Sequence, residues 1–160
     1  MKVNFREIFI LFLFTVQTID LVAQQETSKV NEYEKYVIDL TNDLTKSWEE
    51  LNADKYLSYF STNLDFYIDG NHIDFKVLEG IVRDLMPKLS DSTFEIMEPK
   101  VHYASSNIGI ISFKIKETFL LKNDNYDELK GVMTLIWEKK LEQWKITMVH
   151  ESLSKTIAEN

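Results

Sequence analysis

The sequence predicts an α+β fold, in which an antiparallel sheet wraps around helices that come earlier in the chain. Residues 30–85 show mainly the apolar spacing of three or four residues that is typical of helices. After residue 91 the chain consists of four runs rich in β-branched and aromatic residues, which indicates consecutive strands. The length of 160 residues suits one domain, and we predict that residues 25–160 form it, because they contain no repeat and no linker.

The first 24 residues have the features of a cleavable signal peptide. Lys2 and Arg6 form a basic start, residues 8–16 are almost entirely Ile, Leu and Phe, and Ala23 offers a small residue for cleavage. The apolar run is too short for a membrane anchor, because a bilayer core requires about 20 apolar residues. We therefore expect an exported protein, periplasmic or extracellular, that starts directly after Ala23 or one residue later and has no stable membrane anchor.

Three helices are predicted next. A long amphipathic helix at residues 30–51 places an apolar residue every three or four positions along one face. Asn52 has the side chain of a helix N-cap and is predicted to start a short second helix. Asp74 is predicted to cap a third helix, which Pro87 ends or kinks because proline does not continue an α-helix.

Strands are predicted from period-two alternation and from composition. Residues 64–69 alternate, with Phe66 and Ile68 on one face and Asp69 on the other. Clusters of Ser, Asn, Asp and Lys separate the four later runs into antiparallel neighbours. Their predicted spans are 93–103, 108–121, 129–139 and 144–153.

The composition excludes several classes of function. The chain has 18 Lys and Arg against 26 Asp and Glu, and its formal net charge of -8 repels the phosphate backbone of nucleic acids. With 0 Cys it has no disulfide, no thiolate nucleophile and no cysteine-ligated metal. No other motif has the spacing of metal ligands, so neither a metal nor a cofactor is predicted.

Three motifs together suggest a family. They are the helical segment Trp48–Phe60, the strand end Asp69-Gly70, and the paired segments Gly131–Trp137 and Gln143–Ser152. This combination resembles the nuclear transport factor 2-like superfamily, in particular its SnoaL-like, DUF4440-type small exported proteins. The resemblance implies a cone-like fold with a curved, mixed-edge sheet, one enclosed pocket and a homodimer. It does not select a function, because the superfamily includes isomerases, dehydratases, cyclases, ligand-binding proteins and dimerisation modules.

The ketosteroid-isomerase-like members of this superfamily imply catalytic positions that the chain does not fill. Those members use an Asp as general base, with a Tyr and a protonated Asp as oxyanion donors. The resemblance places the Tyr position at Ser47 and the base position at Ile68. Asp69 is one residue from the base position, and a one-residue bulge at Gly70 would be needed to turn it inward.

His150 is the candidate catalytic residue. If the last predicted strand is unbroken, His150 shares the inward face with Met148 and Ser152. An imidazole in that position donates or accepts a proton near neutral pH. The alternative is a histidine that lies in the core and is satisfied by a hydroxyl or carbonyl group.

Bulky residues on converging faces are the predicted walls of a pocket. They fit a wall for an apolar or aromatic ligand, and each of them taken singly fits a plain hydrophobic core better. In contrast, Glu117, Glu138 and Glu151 are expected on solvated strand faces, and His72 and His102 on the surface. The predicted pocket residues are Trp48, Tyr56, Phe60, Phe66, Ile68, Phe113, Trp137, Met148 and Ser152.

Two functions of different classes therefore remain open. The first is an exported protein without catalysis, which has a pocket for a small apolar or aromatic molecule or serves as an interaction module. The second is an acid–base enzyme of the isomerase or dehydratase type that uses His150 and requires a carboxylate beside it in a closed cavity. Apolar residues on both faces of the strand at residues 129–139 also predict a homodimer through the outer face of the sheet.

Overall fold

The computed structural model describes residues 32–123 and 125–155, and it has the predicted α+β architecture. The predicted signal peptide at residues 1–24 lies outside the described residues. No described helix is both long enough and apolar enough to cross a bilayer. The elements, in chain order, are α1 (32–49), α2 (Ala53–Ser58), β1 (Phe60–Ile68), β2 (Asn71–Ile73), α3 (Phe75–Leu85), a 3-10 turn (Met86–Lys88), β3 (Leu89–Ala104), β4 (Ile108–Leu121), β5 (Tyr126–Lys140) and β6 (Gln143–Lys155).

Both predicted helix caps are present. The side-chain oxygen of Asn52 accepts a hydrogen bond from the backbone N–H of Lys55 at 3.0 Å, at the start of α2. The Asp74 carboxylate accepts one from the N–H of Val77 at 2.9 Å, at the start of α3. Each cap satisfies a backbone donor that the first turn of a helix leaves without a partner. α3 ends two residues before Pro87, as predicted.

The strands form one mixed sheet in the order β2-β1-β6-β5-β4-β3. Strands β3 to β6 are antiparallel neighbours, whereas β1 pairs with β6 in parallel and with β2 in antiparallel fashion. Breaks in the pairing register occur in β3 and between β5 and β6, and such bulges increase the bend and twist of a sheet. The curved, mixed-edge sheet that the resemblance implies is therefore confirmed.

The core fills the space between the helices and the concave face of the sheet. Trp137 of β5 is completely buried, and its indole N–H donates to the Thr41 hydroxyl of α1 at 3.2 Å. Gly109 of β4 lies directly beneath Val37 of α1, where an added Cβ would be 2.3 Å from the Val37 Cγ2 atom. The absence of a side chain at Gly109 thus lets α1 lie close to the sheet at this end of the core.

A one-residue bulge interrupts β6. Ile136 of β5 pairs with Met148, but the next residue of β5, Trp137, pairs with Ile146. Thr147 is therefore an extra residue without a partner on β5. Because side chains in a strand alternate with a period of two, this insertion reverses which residues face the core in the second half of β6.

Candidate functional site

A cavity of about 190 Å³ lies between the C-terminal end of α1, the helices α2 and α3, and the concave face of the sheet. Its lining is mostly apolar, which is typical of small-molecule sites. α3 contributes the aliphatic residues Leu78, Ile81, Val82 and Leu85. The aromatic lining residues are Trp48, Tyr56, Phe66, Phe94 and Phe119.

Three of these aromatic rings meet at Trp48. The Trp48 ring centroid lies 5.0 Å from that of Tyr56 and 6.2 Å from that of Phe119. The tilted and edge-on arrangements of these pairs are the favourable ones for aromatic contacts. The indole N–H of Trp48 is buried and has no hydrogen-bond partner of ordinary geometry in the described part of the chain. This donor lies at the aromatic wall of the cavity, near the carboxyl group of Glu117.

Two glutamates bring carboxyl groups into this apolar space. Glu117 of β4 and Glu151 of β6 both line the cavity, and they are only 7% and 6% exposed. No Lys, Arg or His is among the described residues that line the cavity. Buried carboxylates in proteins are normally paired with a cation, so this arrangement leaves two acids without an internal counter-ion.

Burial and the charge of a neighbouring acid move the pKa values of both glutamates into the neutral range. Burial, assisted by the charge of Glu151, raises the pKa of Glu117 to about 8, although the nearby indole N–H of Trp48 opposes this shift. Burial, followed by the charge of Asp69, raises the pKa of Glu151 to about 7. Burial and both glutamates also raise the pKa of Tyr56 above its ordinary value, so its phenol stays protonated. Between about pH 7 and pH 8 the two carboxyl groups therefore hold about one proton between them.

Asp69 fixes the backbone of β6 at Glu151 and directly after it. Its N–H donates to the Glu151 carbonyl oxygen at 3.1 Å, and its Oδ1 accepts from the Leu153 N–H at 2.9 Å. Asp69 and Gly70 both have left-handed backbone conformations, with φ values of 48° and 81°, which Asp and Gly tolerate better than most residues. The turn after β1 thus binds Asp69 to β6, and the Asp69 side chain stays exposed and does not enter the cavity.

The structure separates the predicted pocket residues into three groups. Lining the cavity are Trp48, Tyr56, Phe66 and Ile68. Buried in the core but outside the cavity lining are Phe60, Phe113 and Trp137. Exposed on the outer face of the sheet are Met148 and Ser152. Contact of the lining residues with a ligand stays a prediction.

His150 lies on the outer face of the sheet and is exposed. The prediction that it points toward the cavity is wrong, because the extra residue Thr147 reverses the alternation of β6 and turns Glu151 inward in its place. The expectation that Glu151 is solvated is wrong for the same reason. The position implied for the catalytic Tyr, Ser47, is in the core, where its hydroxyl donates to the Leu44 carbonyl within α1 at 2.6 Å.

Glu117 was also expected on a solvated face, and this expectation is wrong. The sequence does contain the signal, because Glu117 alternates in step with Phe113 and Ile115, which are both buried. The other surface expectations agree with the structure: His72 and His102 are exposed. The buried acid on β4 could thus have been found from periodicity alone.

The sequence matches the model of one protein family. The family model described as "Protein of unknown function (DUF3804)" matches residues 52–158. The chain belongs to this family. The match includes the strands that carry both glutamates of the cavity in this DUF3804 protein. No curated protein matches the sequence.

Several solved structures share the fold of this DUF3804 protein. A nuclear transport factor 2 (NTF2-like) superfamily protein from Salmonella enterica is 17% identical, with a TM-score of 0.66, over 81% of this chain and 95% of that one. The association domain of C. elegans CaMKII is 16% identical, with a TM-score of 0.63, over 78% and 98%. The hexachlorocyclohexane dehydrochlorinase LinA-type3 from Novosphingobium barchaimii is 13% identical, with a TM-score of 0.61, over 87% and 94%. At these identities the likeness shows the fold alone, and this fold is the one that the resemblance to the nuclear transport factor 2-like superfamily implies.

Proposed function

We propose that the protein binds a small molecule with an apolar or aromatic body in the cavity between the helices and the sheet. The observation that supports this function is an apolar cavity of about 190 Å³ into which two carboxyl groups point. An apolar cavity of about 150 Å³ engineered in another protein binds benzene, so the volume here suits a compact ring. The carboxyl groups and the buried indole N–H of Trp48 provide the few polar groups that orient a ligand in such sites.

A titration with toluene, followed by the backbone amide signals of the protein, tests this function. We expect saturable shifts for residues that line the cavity, such as Met133 and Glu117. The variant Leu153→Trp places a large ring in the cavity and is expected to abolish these shifts. The control is Leu141→Trp, a position 98% exposed in the turn between β5 and β6, which is expected to leave them unchanged. The absence of any saturable shift in the unmodified protein would reject the proposal.

The carboxyl pair also supports a second candidate, an acid–base enzyme of the isomerase or dehydratase type. Because the pKa of Glu151 is about 7 and that of Glu117 about 8, Glu151 is the more ionised of the two near neutral pH and is placed to accept a proton, whereas Glu117 keeps its proton and is placed to donate one. A dehydrochlorinase of similar fold shows that this architecture accommodates an enzyme, which is support by analogy only. His150 has no part in this version, because it faces away from the cavity.

Deuterium exchange at the α-carbon of a small ketone tests the second candidate. Cyclohexanone in D₂O is the probe, and proton NMR measures the loss of its α-hydrogens. If Glu151 is a positioned base, Glu151→Gln is expected to slow the exchange about a hundredfold or more. Exchange in the unmodified protein at the rate of buffer alone would argue against catalysis and leave the binding function untouched.

We further propose that the protein is exported, because residues 1–24 have the features of a cleavable signal peptide.

We also propose that the protein forms a homodimer through the outer face of the sheet. Large apolar side chains are exposed on this face, among them Val132 at 51%, Met148 at 38% and Tyr103 at 54%. Contiguous exposed apolar surface commonly marks an interface. One of the structures of similar fold is described as an association domain, which is consistent with assembly on this architecture.

A further inference from the structure

We infer that the cavity selects a compact organic cation: a primary ammonium group on an apolar or aromatic body, with Glu117 and Glu151 as its counter-ions and the aromatic wall around Trp48 as its second partner. This inference rests on the proposed binding function and specifies the chemistry of the ligand.

The described lining of the cavity has two acids and no positive charge. Both carboxyl groups are more than nine-tenths buried, and the cavity lining contains no described basic residue. The lysine next to Glu117 in sequence, Lys116, forms an ion pair with Glu128 at 3.2 Å and is absent from the lining. Lys145, on β6, donates to the backbone carbonyl of Ser58. A cationic ligand would supply the counter-charge that the chain itself does not.

The described groups near the two acids are neutral, negative or apolar. Tyr56 from α2 and Trp48 from α1 are neutral, and Asp69, from the turn after β1, is negative. α3 and β3 contribute only apolar side chains to the lining. The electrostatic environment therefore disfavours anions and favours cations.

The aromatic rings beside the two acids favour an organic cation over an inorganic one. The rings of Trp48, Tyr56 and Phe119 form a continuous wall beside the carboxyl groups, with centroid separations of 5.0 Å and 6.2 Å from Trp48. Aromatic faces attract ammonium groups that lie within about 6 Å of the ring centroid. They also cover an apolar body, which a bare metal ion lacks. The combination of acids and rings thus fits an ammonium group attached to a hydrocarbon.

Three ligands of similar size test the inference: benzylammonium, benzyl alcohol and toluene. At about pH 8.5, above the pKa values of both carboxyl groups, we expect benzylammonium to bind about tenfold more tightly than benzyl alcohol, or better. The double variant Glu117→Gln/Glu151→Gln is expected to lose this preference and to retain toluene. The control Glu138→Gln changes a β5 carboxylate that pairs with Lys140 outside the cavity, and it is expected to leave the preference intact.

The possible outcomes separate the inference from the proposed function. Toluene binding with no preference for benzylammonium over benzyl alcohol would overturn the inference and preserve the binding function. Failure of all three ligands would overturn both. If the double variant does not fold, the unmodified protein still decides. Its affinity for benzylammonium is expected to rise about tenfold or more from pH 6 to pH 8.5 while its affinity for toluene stays constant, and a flat benzylammonium profile would overturn the inference.

Discussion

Glu117 and Glu151 occupy buried strand positions at which an aliphatic side chain would also be compatible with the fold. Their neighbours on the same faces, Ile115 and Val149, are buried and apolar. An acid in such a position is stable in its protonated form, and each unit of raised pKa represents about 1.4 kcal/mol of preference for that form. The two glutamates therefore make the stability of the folded state depend on pH.

The free energy of unfolding is expected to fall as the pH rises from about 4.5 to about 8. In the unfolded chain the Glu117 carboxyl ionises near 4.5, whereas in the folded state it keeps its proton to about 8. Across this window the folded state binds more protons, so rising pH favours unfolding. Glu117→Gln removes this titration. The melting temperature of the variant minus that of the unmodified protein is therefore expected to increase by about 5 °C or more from pH 5 to pH 9.

Thermal melts over this pH range measure the effect. Glu138→Gln is the matched control, because this glutamate lies outside the cavity and pairs with Lys140. Its melting curve is expected to follow that of the unmodified protein at every pH. Parallel curves for Glu117→Gln and the unmodified protein would mean that Glu117 is solvated.

Asp69 is expected to act on Glu151 through its charge. Asp69→Asn keeps an oxygen that accepts the Leu153 N–H and tolerates the left-handed backbone, but it removes the negative charge that raises the pKa of Glu151. The pKa of Glu151, measured by carbon NMR of its carboxyl group, is expected to fall toward its ordinary value. Asp69→Ala also loses the hydrogen bond and is expected to destabilise the protein by about 1 kcal/mol more. An unchanged pKa in Asp69→Asn would contradict this role.

At the scale of elements, local sequence predicts the helices and strands well, because their signals are local. The caps at Asn52 and Asp74 depend on residues three positions away, and the predicted span of β4 agrees with the structure. The inward face of β6 was not predictable in this way. The bulge at Thr147 is a mismatch between β5 and β6, so it belongs to the pairing of two strands and not to either strand alone. Part of the cavity could therefore be predicted, but not the exchange of His150 for Glu151.

α1 approaches β4 closely at Gly109, and a second substitution can relieve the clash that a side chain there would cause. Gly109→Ala places a Cβ 2.3 Å from the Val37 Cγ2 atom and is expected to destabilise the protein by about 1–3 kcal/mol. Val37→Ala removes the clashing methyl groups, so the double variant is expected to be more stable than the sum of the two single effects by about 1 kcal/mol. Denaturant unfolding measures this coupling.

Gly131→Ala is the comparison for the same experiment. Its Cβ would lie 2.0 Å from the Ser152 carbonyl oxygen, which is a backbone atom of β6. No side-chain truncation relieves this contact, so Gly131→Ala is expected to be more destabilising than Gly109→Ala. Equal effects for the two variants would show that β5 and β6 separate easily.

At the scale of the whole molecule, the outer face of the sheet determines assembly. Val132→Lys puts a charge on the exposed apolar residue of β5 and is expected to convert the proposed dimer into a monomer without altering the melting temperature of the monomer. Light scattering at about 100 μM measures the mass, a concentration well above the dissociation constants of most stable dimers. Leu141→Lys, in the exposed turn, is the control. A monomer in the unmodified protein at that concentration would argue against the dimer.

Export is a second property of the whole chain. If residues 1–24 are a cleaved signal peptide, protein recovered outside the cytoplasm is expected to begin at Gln24 or Gln25. Intact mass measurement and N-terminal sequencing check this directly. A protein that begins at Met1 in a washed membrane fraction would contradict the prediction.

The bulge at Thr147 has a consequence for how such cavities diversify. If the second half of β6 slipped by one residue so that Thr147 paired with Ile136, the bulge would vanish and His150 would lie opposite Met133, facing inward, with Glu151 outward and no substitution elsewhere. A change of register by one residue at the bulge is thus a short step between an acidic cavity and one that contains an imidazole. Two proteins with nearly identical last strands can therefore present different side chains to the cavity. The pairing register of β6 at the bulge distinguishes them better than sequence identity does.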